Sequence, residues 1–194
     1  MSVIIIKLGG SLMRSAELSS WLKSINSVSI NSNIIIVPGG GEFADSVRSL
    51  QKTHELGDVT AHKMALLAMC QYGYLLAGMN SKLYIVDGID LLPSHLGKNV
   101  PLIWLPTALI DDDSEIAANW DFTSDSIALW LATKLSATKL VLVKSVELND
   151  AKESIRNHIN NHSIDQGFQK LSELYQGEIL FFEKSQASNL LDLI

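Results

Sequence analysis

The apolar positions of this chain fall into short β-branched runs separated by stretches of helical spacing, and two of the runs end in clustered glycines. Ile4-Ile5-Ile6-Lys7-Leu8 leads into Gly9-Gly10-Ser11, and Ile34-Ile35-Ile36-Val37-Pro38 leads into Gly39-Gly40-Gly41. Such runs predict strands buried on both faces of a parallel sheet, with a loop leaving each carboxyl end. Between them, Leu18, Trp21, Leu22 and Ile25 predict a helix over Glu17 to Ser27, and Asn31-Ser32-Asn33 predicts a turn, which completes a βαβ unit. Phe43, Val47 and Leu50 mark one face of a helix over Glu42 to Leu56. Gly57-Asp58 separates it from a longer helix over about Val59 to Ala77. Further strands are expected at Leu83 to Val86, Leu102 to Leu105, Lys139 to Val143 and Glu178 to Phe182, with an amphipathic segment at Leu129 to Leu135. This alternation predicts an α/β fold, a three-layer α/β/α sandwich around a mostly parallel central sheet with right-handed crossovers.

Composition narrows the class. At 194 residues, with 47% apolar and 19% charged positions, the chain is expected to form a single domain over 1–194 with a sizeable core. No internal repeat or flexible linker interrupts it. A net charge of −6 argues against nucleic acid as a partner. The most apolar segment, Met64 to Met79, is broken by Gln71 and ends near Gly78, so no membrane partner is expected. The first residues lack a basic start and run straight into a strand, and the single Cys70 lies in an apolar helical stretch. Both suit a reducing cytoplasm, with Cys70 a small core hydrophobe. Asp111-Asp112-Asp113 with Glu115 reads as a solvated loop, and no metal site is assigned.

The glycine clusters carry the candidate chemistry. In open α/β sheets ligands sit at the carboxyl ends of the strands, where glycine lets backbone N–H groups approach a phosphate and a following helix adds its positive end. Gly9-Gly10 has the spacing of neither a P-loop nor a dinucleotide fingerprint, so a tight turn remains an alternative there. Three consecutive glycines exceed what a turn needs, and close approach of a ligand would account for them. Lys7 would bring a cation to the same end. In Trp120-Asp121-Phe122-Thr123-Ser124-Asp125, Thr123 or Ser124 can cap a helix with Asp125 in its first turn. Asp125 either serves that start or hydrogen-bonds Lys7 so that its ammonium points at a transferring phosphoryl group.

Together these three elements resemble the amino acid kinase superfamily over about the first 145 residues. Pro38 to Arg48, Ala61-His62-Lys63-Met64-Ala65 and Ala68 to Gly73 are similar to the small kinases of methanofuran biosynthesis. That resemblance implies Mg²⁺-assisted transfer of the γ-phosphoryl group of ATP to a small phosphorylated substrate, an aminomethylfuran-methyl phosphate. It implies an acceptor half over about 1–110 and a shortened nucleotide half over about 111–194. Lys7 would stabilise the transferring group, Asp125 would orient it, and Lys144 would supply a second cation to the ATP phosphates. Gly9, Gly10 and Ser11 would bind the β and γ phosphates, and Gly39, Gly40 and Gly41 the acceptor's phosphate. Asp45, Arg48, His62 and Thr123 would complete the acceptor site. Where the superfamily shows Thr-Asp-x-Asp-Gly, this chain reads Lys144-Ser145-Val146-Glu147-Leu148. A carboxylate kinase and a binding protein without turnover are the alternatives. Pairing through the helix around Met64 to Leu76 is the expected route to a homodimer.

Overall fold

The computed structural model describes residues 2–110, 116–145 and 164–193. Six strands, β1 (Val3–Leu8), β2 (Asn33–Pro38), β3 (Tyr84–Asp87), β4 (Leu102–Leu105), β5 (Lys139–Lys144) and β6 (Glu178–Glu183), form one sheet in the order β3-β4-β2-β1-β5-β6. Every neighbouring pair is parallel. The helices are α1 (Leu18–Val28), α2 (Gly41–His54), α3 (Asp58–Met79), α4 (Ser124–Lys134) and α5 (Gly167–Ser172). The expected elements therefore stand, with shifted ends. Helix α2 stops at His54 because Glu55 takes a left-handed conformation, φ 51°, and α4 begins five residues before the amphipathic segment at Leu129.

The isoleucine runs form strands because both faces are covered, which suits β-branched side chains. Ile5, Ile35, Val37, Leu140 and Leu142 face a core shared with α4 and Phe168 of α5. Ile4, Ile6, Ile34, Ile36, Val141 and Val143 face the opposite core with Trp21 of α1 and Leu190 of a C-terminal 3₁₀ turn. Each of these fully buried side chains contributes about 1.5–3 kcal/mol of transfer free energy. Helix α3 supplies both cores, Leu66 and Met69 to the first and Cys70, Tyr72 and Leu76 to the second. Burial pushes the Cys70 thiol up to about 11, as suits a packing residue rather than a nucleophile. Among the described residues no helix is long and apolar enough to cross a membrane.

Register decides what meets at the carboxyl end of the sheet. Leu8 lies beside Pro38, so the two glycine loops leave the sheet side by side. An added Cβ on Gly10 would stand 2.2 Å from the Gly41 nitrogen, and one on Gly39 would stand 2.6 Å from the Gly10 nitrogen. Gly41 also has φ +54°. The glycines are thus required by backbone-to-backbone contact between loops, a cause that the argument from ligand approach did not foresee. Gly10→Ala is expected to wedge the loops apart and cost about 1–3 kcal/mol, read as a lowered unfolding midpoint. An unchanged midpoint would mean that the loops are not held in contact.

Candidate active site

Strand β1 lies between β2 and β5, with Lys7 beside Val37 and Leu142. Lys144, two residues beyond Leu142, points to the same face because side chains alternate along a strand. Helix α4 covers that face and presents Asp125 from its first turn. Asp125 Oδ1 lies 2.9 Å from Lys7 Nζ, and Lys144 Nζ donates to Asp125 Oδ2 at 2.5 Å. All three side chains are buried. Burial by itself would raise the Asp125 pKa, but Lys144 and Lys7 outweigh it and hold the carboxyl at about 2. Burial lowers Lys144 to about 8, opposed by Asp125 and reinforced by the positive charge of Lys7. The row therefore holds two buried lysines on one carboxylate, with Asp165 a further negative charge near Lys144.

The start of α4 is capped from elsewhere in the chain. Thr123 occupies the N-cap position, yet no side-chain cap bond of its own closes the turn. Instead Asp165 Oδ2 accepts hydrogen bonds from the backbone N–H of Thr123 at 2.8 Å and of Ser126 at 3.2 Å, and from the Thr123 hydroxyl at 2.7 Å. Asp165 Oδ1 accepts from the Ser126 hydroxyl and, at 3.0 Å, from the Phe168 N–H of α5. The hydroxyl proton of Thr123 is thus engaged by Asp165. Sequence reasoning assigned nothing to Asp165. Its position just ahead of α5 could have marked it as that helix's cap, but nothing local links it to α4.

Beside the glycine loops opens a cleft of about 360 Å³. Gly10, Ser11, Gly40 and Gly41 form one wall, Asp45, Arg48, Asp58 and His62 another, and Trp120, Phe122 and Thr123 a third. Lys7, Gly9, Gly39, Asp125 and Lys144 do not line it. Arg48 pairs with Asp45 at 2.9 Å and lies 4.2 Å over the Trp120 ring. Trp120 Nε1 donates to Gln51 Oε1 at 2.6 Å, and Gln51 Nε2 donates to Asp58 Oδ1 at 2.8 Å, which holds the indole against α2 and the start of α3. Arg14, which the sequence argument passed over, bridges the two loop regions by donating to both carboxylate oxygens of Glu42. His62 is half-buried with Nε2 enclosed and without a hydrogen-bond partner among the described residues. Its burial lowers the imidazole pKa and favours the neutral ring.

Among the described residues no three His, Cys, Asp or Glu side chains group as metal ligands. Both oxygens of Asp125 are taken by lysines and both of Asp165 by hydrogen-bond donors. The acidic run at 111–115 and residues 146–148 of the altered loop lie outside the described residues.

Paired glycine loops at the ends of central parallel strands, with a lysine pair buried on one aspartate, define an α/β protein whose charged site lies at the carboxyl end of its sheet. The chain belongs to the amino acid kinase family, whose model matches residues 2–169. A protein of Methanocaldococcus jannaschii named as a 5-(aminomethyl)furan-3-yl methyl phosphate kinase is 30% identical over 146 residues, 74% of this chain. The matched region spans 66% of that relative's length. Among solved structures, uridylate kinase from Archaeoglobus fulgidus superposes with a TM-score of 0.72 at 17% identity, covering 98% of this chain and 94% of that one. UMP kinase from Ureaplasma parvum gives a TM-score of 0.73 at 16% identity, covering 99% and 95%. These two structures share the fold.

Proposed function

We propose that this chain is an ATP-dependent phosphotransferase whose acceptor is a small phosphomonoester, an aminomethylfuran-methyl phosphate of methanofuran-type cofactor synthesis. The observation that carries the reading is the buried row of Lys7, Asp125 and Lys144 at the carboxyl end of the central strands, with Lys7 two residues upstream of Gly9. Its two lysines offer N–H donors and positive charge where an equatorial phosphoryl oxygen gains negative charge. An oxygen of the acceptor phosphate attacks the γ phosphorus. The bond from phosphorus to the β–γ bridging oxygen breaks, ADP leaves with that electron pair, and the product is a diphosphate. The acceptor phosphate is already ionised at neutral pH, so the step needs no general base.

In this reading Gly9, Gly10 and Ser11 hold the β and γ phosphates, and Gly39 to Gly41 the acceptor phosphate. ATP arrives as its Mg²⁺ complex, with the ion carried by the phosphates. The cleft has the size of a small-molecule site, and its Trp120, Phe122 and Met69 lining suits a flat ring. His62, its ring favoured in the neutral form, lines the same cleft and can contact the acceptor there. The name of the relative from Methanocaldococcus jannaschii supports an aminomethylfuran acceptor. Exposed Val59, Leu67 and Tyr74 on α3 support pairing into a homodimer, and the proposed setting is the cytoplasm.

The test is incubation with MgATP and the aminomethylfuran phosphate, followed by phosphorus NMR, alongside thermal unfolding with ATP, ADP and AMP with and without Mg²⁺. The expected results are a diphosphate signal with matching ADP, and a midpoint raised by MgATP through mass action. Transfer to an amino acid carboxylate instead would replace the acceptor assignment. Failure to form ADP with any phosphorylated or carboxylate acceptor would overturn the phosphotransferase reading.

A further inference from the structure

Five donors converge on one carboxylate that comes from 39 to 42 positions further along the chain than the α4 residues it binds. The α4 donors belong to Thr123 and Ser126, the residues that bracket Asp125 in the first turn of the helix. Glycine at 167 makes this docking possible, since an added Cβ there would stand 2.5 Å from the Phe122 ring and 2.8 Å from the Asp121 carbonyl. The Gly167 N–H donates to that same carbonyl at 2.7 Å. The turn bearing Asp125 is thus gripped on its N-terminal side by Gly167 of α5 and by Asp165, two residues ahead of it.

We infer that Asp165 is a positioning residue for phosphoryl transfer, clamping the first turn of α4 so that Asp125 divides its two oxygens between Lys7 and Lys144. The catalytic part of this statement rests on the phosphotransferase reading, whereas the clamp and its charge do not. Along the carboxyl end of the sheet the charges alternate as Lys7, Asp125, Lys144 and Asp165. Removing the last negative charge would leave Lys144 with less to offset the neighbouring Lys7. Asp165 favours the ammonium form of Lys144, while burial and Lys7 oppose it. Burial and the charge of Asp125 raise the Asp165 pKa, against the hydrogen bonds from Ser126 and Thr123. The charged groups around Lys144 are Lys7 on β1, Asp125 on α4, Asp165 ahead of α5, and Glu183, its register partner on β6.

Asp165→Asn keeps the shape and some hydrogen bonding but removes the charge. Lysine labelled with carbon-13 and assigned with Lys144→Arg reports the titration of Lys144 directly, whether or not the protein turns over ATP. The expected result is a Lys144 midpoint near 8 in the wild type that moves to lower pH by about one unit in Asp165→Asn. In the kinase assay the alkaline fall in kcat should move with it, and kcat at neutral pH should drop by roughly ten- to a hundredfold with acceptor KM within about threefold. If Asp165→Asn leaves the Lys144 midpoint and the pH profile unmoved, and activity falls only with the folded fraction, Asp165 is a structural cap and the inference is overturned. If that variant does not fold, the wild type still decides. The Lys144 resonance should register protonation of Asp165 as the pH is lowered, and indifference to it would overturn the inference. A wild type without turnover, together with the expected midpoint shift, would sink the kinase reading and leave the electrostatic clamp standing.

Discussion

Lys7→Ala is expected to lower kcat by roughly a thousandfold while leaving the protein folded. The two effects separate because of the charge arithmetic of the buried row. With Lys7 present, two ammonium groups share the carboxylate of Asp125. Without it, Asp125 and Lys144 remain paired at 2.5 Å, so neither is left without a partner. The loss to the fold is mainly the packing of one buried aliphatic stem. The loss to the reaction is a cation at the carboxyl end of β1, which acts only as charge develops on the transferring group. Removing Lys7 also removes a charge that depresses the Lys144 pKa, so the residual activity should persist to higher pH than in the wild type. The measurement is kcat against pH for both proteins, with circular dichroism to establish folding. A variant within tenfold of wild type would remove Lys7 from the catalytic machinery.

Asp125→Asn should have the opposite balance, with the fold suffering first. It takes from two buried lysines the carboxylate they share, and breaking a buried ion pair from one side costs about 3–5 kcal/mol. Since domains are stable by only about 5–15 kcal/mol, the unfolding midpoint should fall sharply. The deficit should shrink in alkali. Lys144 already has a folded-state pKa of about 8, below its ordinary value. Between its folded and unfolded pKa values the unfolded chain binds more protons, and stability therefore rises with pH. Denaturant titrations of variant and wild type at pH 6 and pH 9 would read this, and equal midpoints at pH 6 would contradict the shared-carboxylate geometry. In the wild type Asp125 acts in the same sense at the acid end, because its folded-state pKa is also depressed. Its carboxyl sits at about 2 against an ordinary 3.8, so the stabilisation it gives is fully present above about pH 4 and is lost as pH falls through 2.

What could be read from the chain alone was whatever repeats over a few residues. Alternating β-branched runs, helical spacing and clustered glycines are local, and they predicted the parallel α/β sandwich, the two loops and Lys7 at the right end of the first strand. Asp125 was visible for the same reason, as an acidic residue beside a helix-capping pair. The tertiary structure decided everything that depends on which strands are neighbours. Because β1 lies between β2 and β5, the loops press backbone against backbone, which explains Gly10 and Gly39 by packing. The same order brings Lys144 to a carboxylate that Lys7 already uses. No local period announces that Asp165 caps a helix lying some forty positions earlier, that Arg48 turns onto Trp120, or that Arg14 reaches Glu42 across the loops. Such partners are selected by burial, where an unpaired charge or donor is costly, and burial is a property of the assembled layers rather than of any segment.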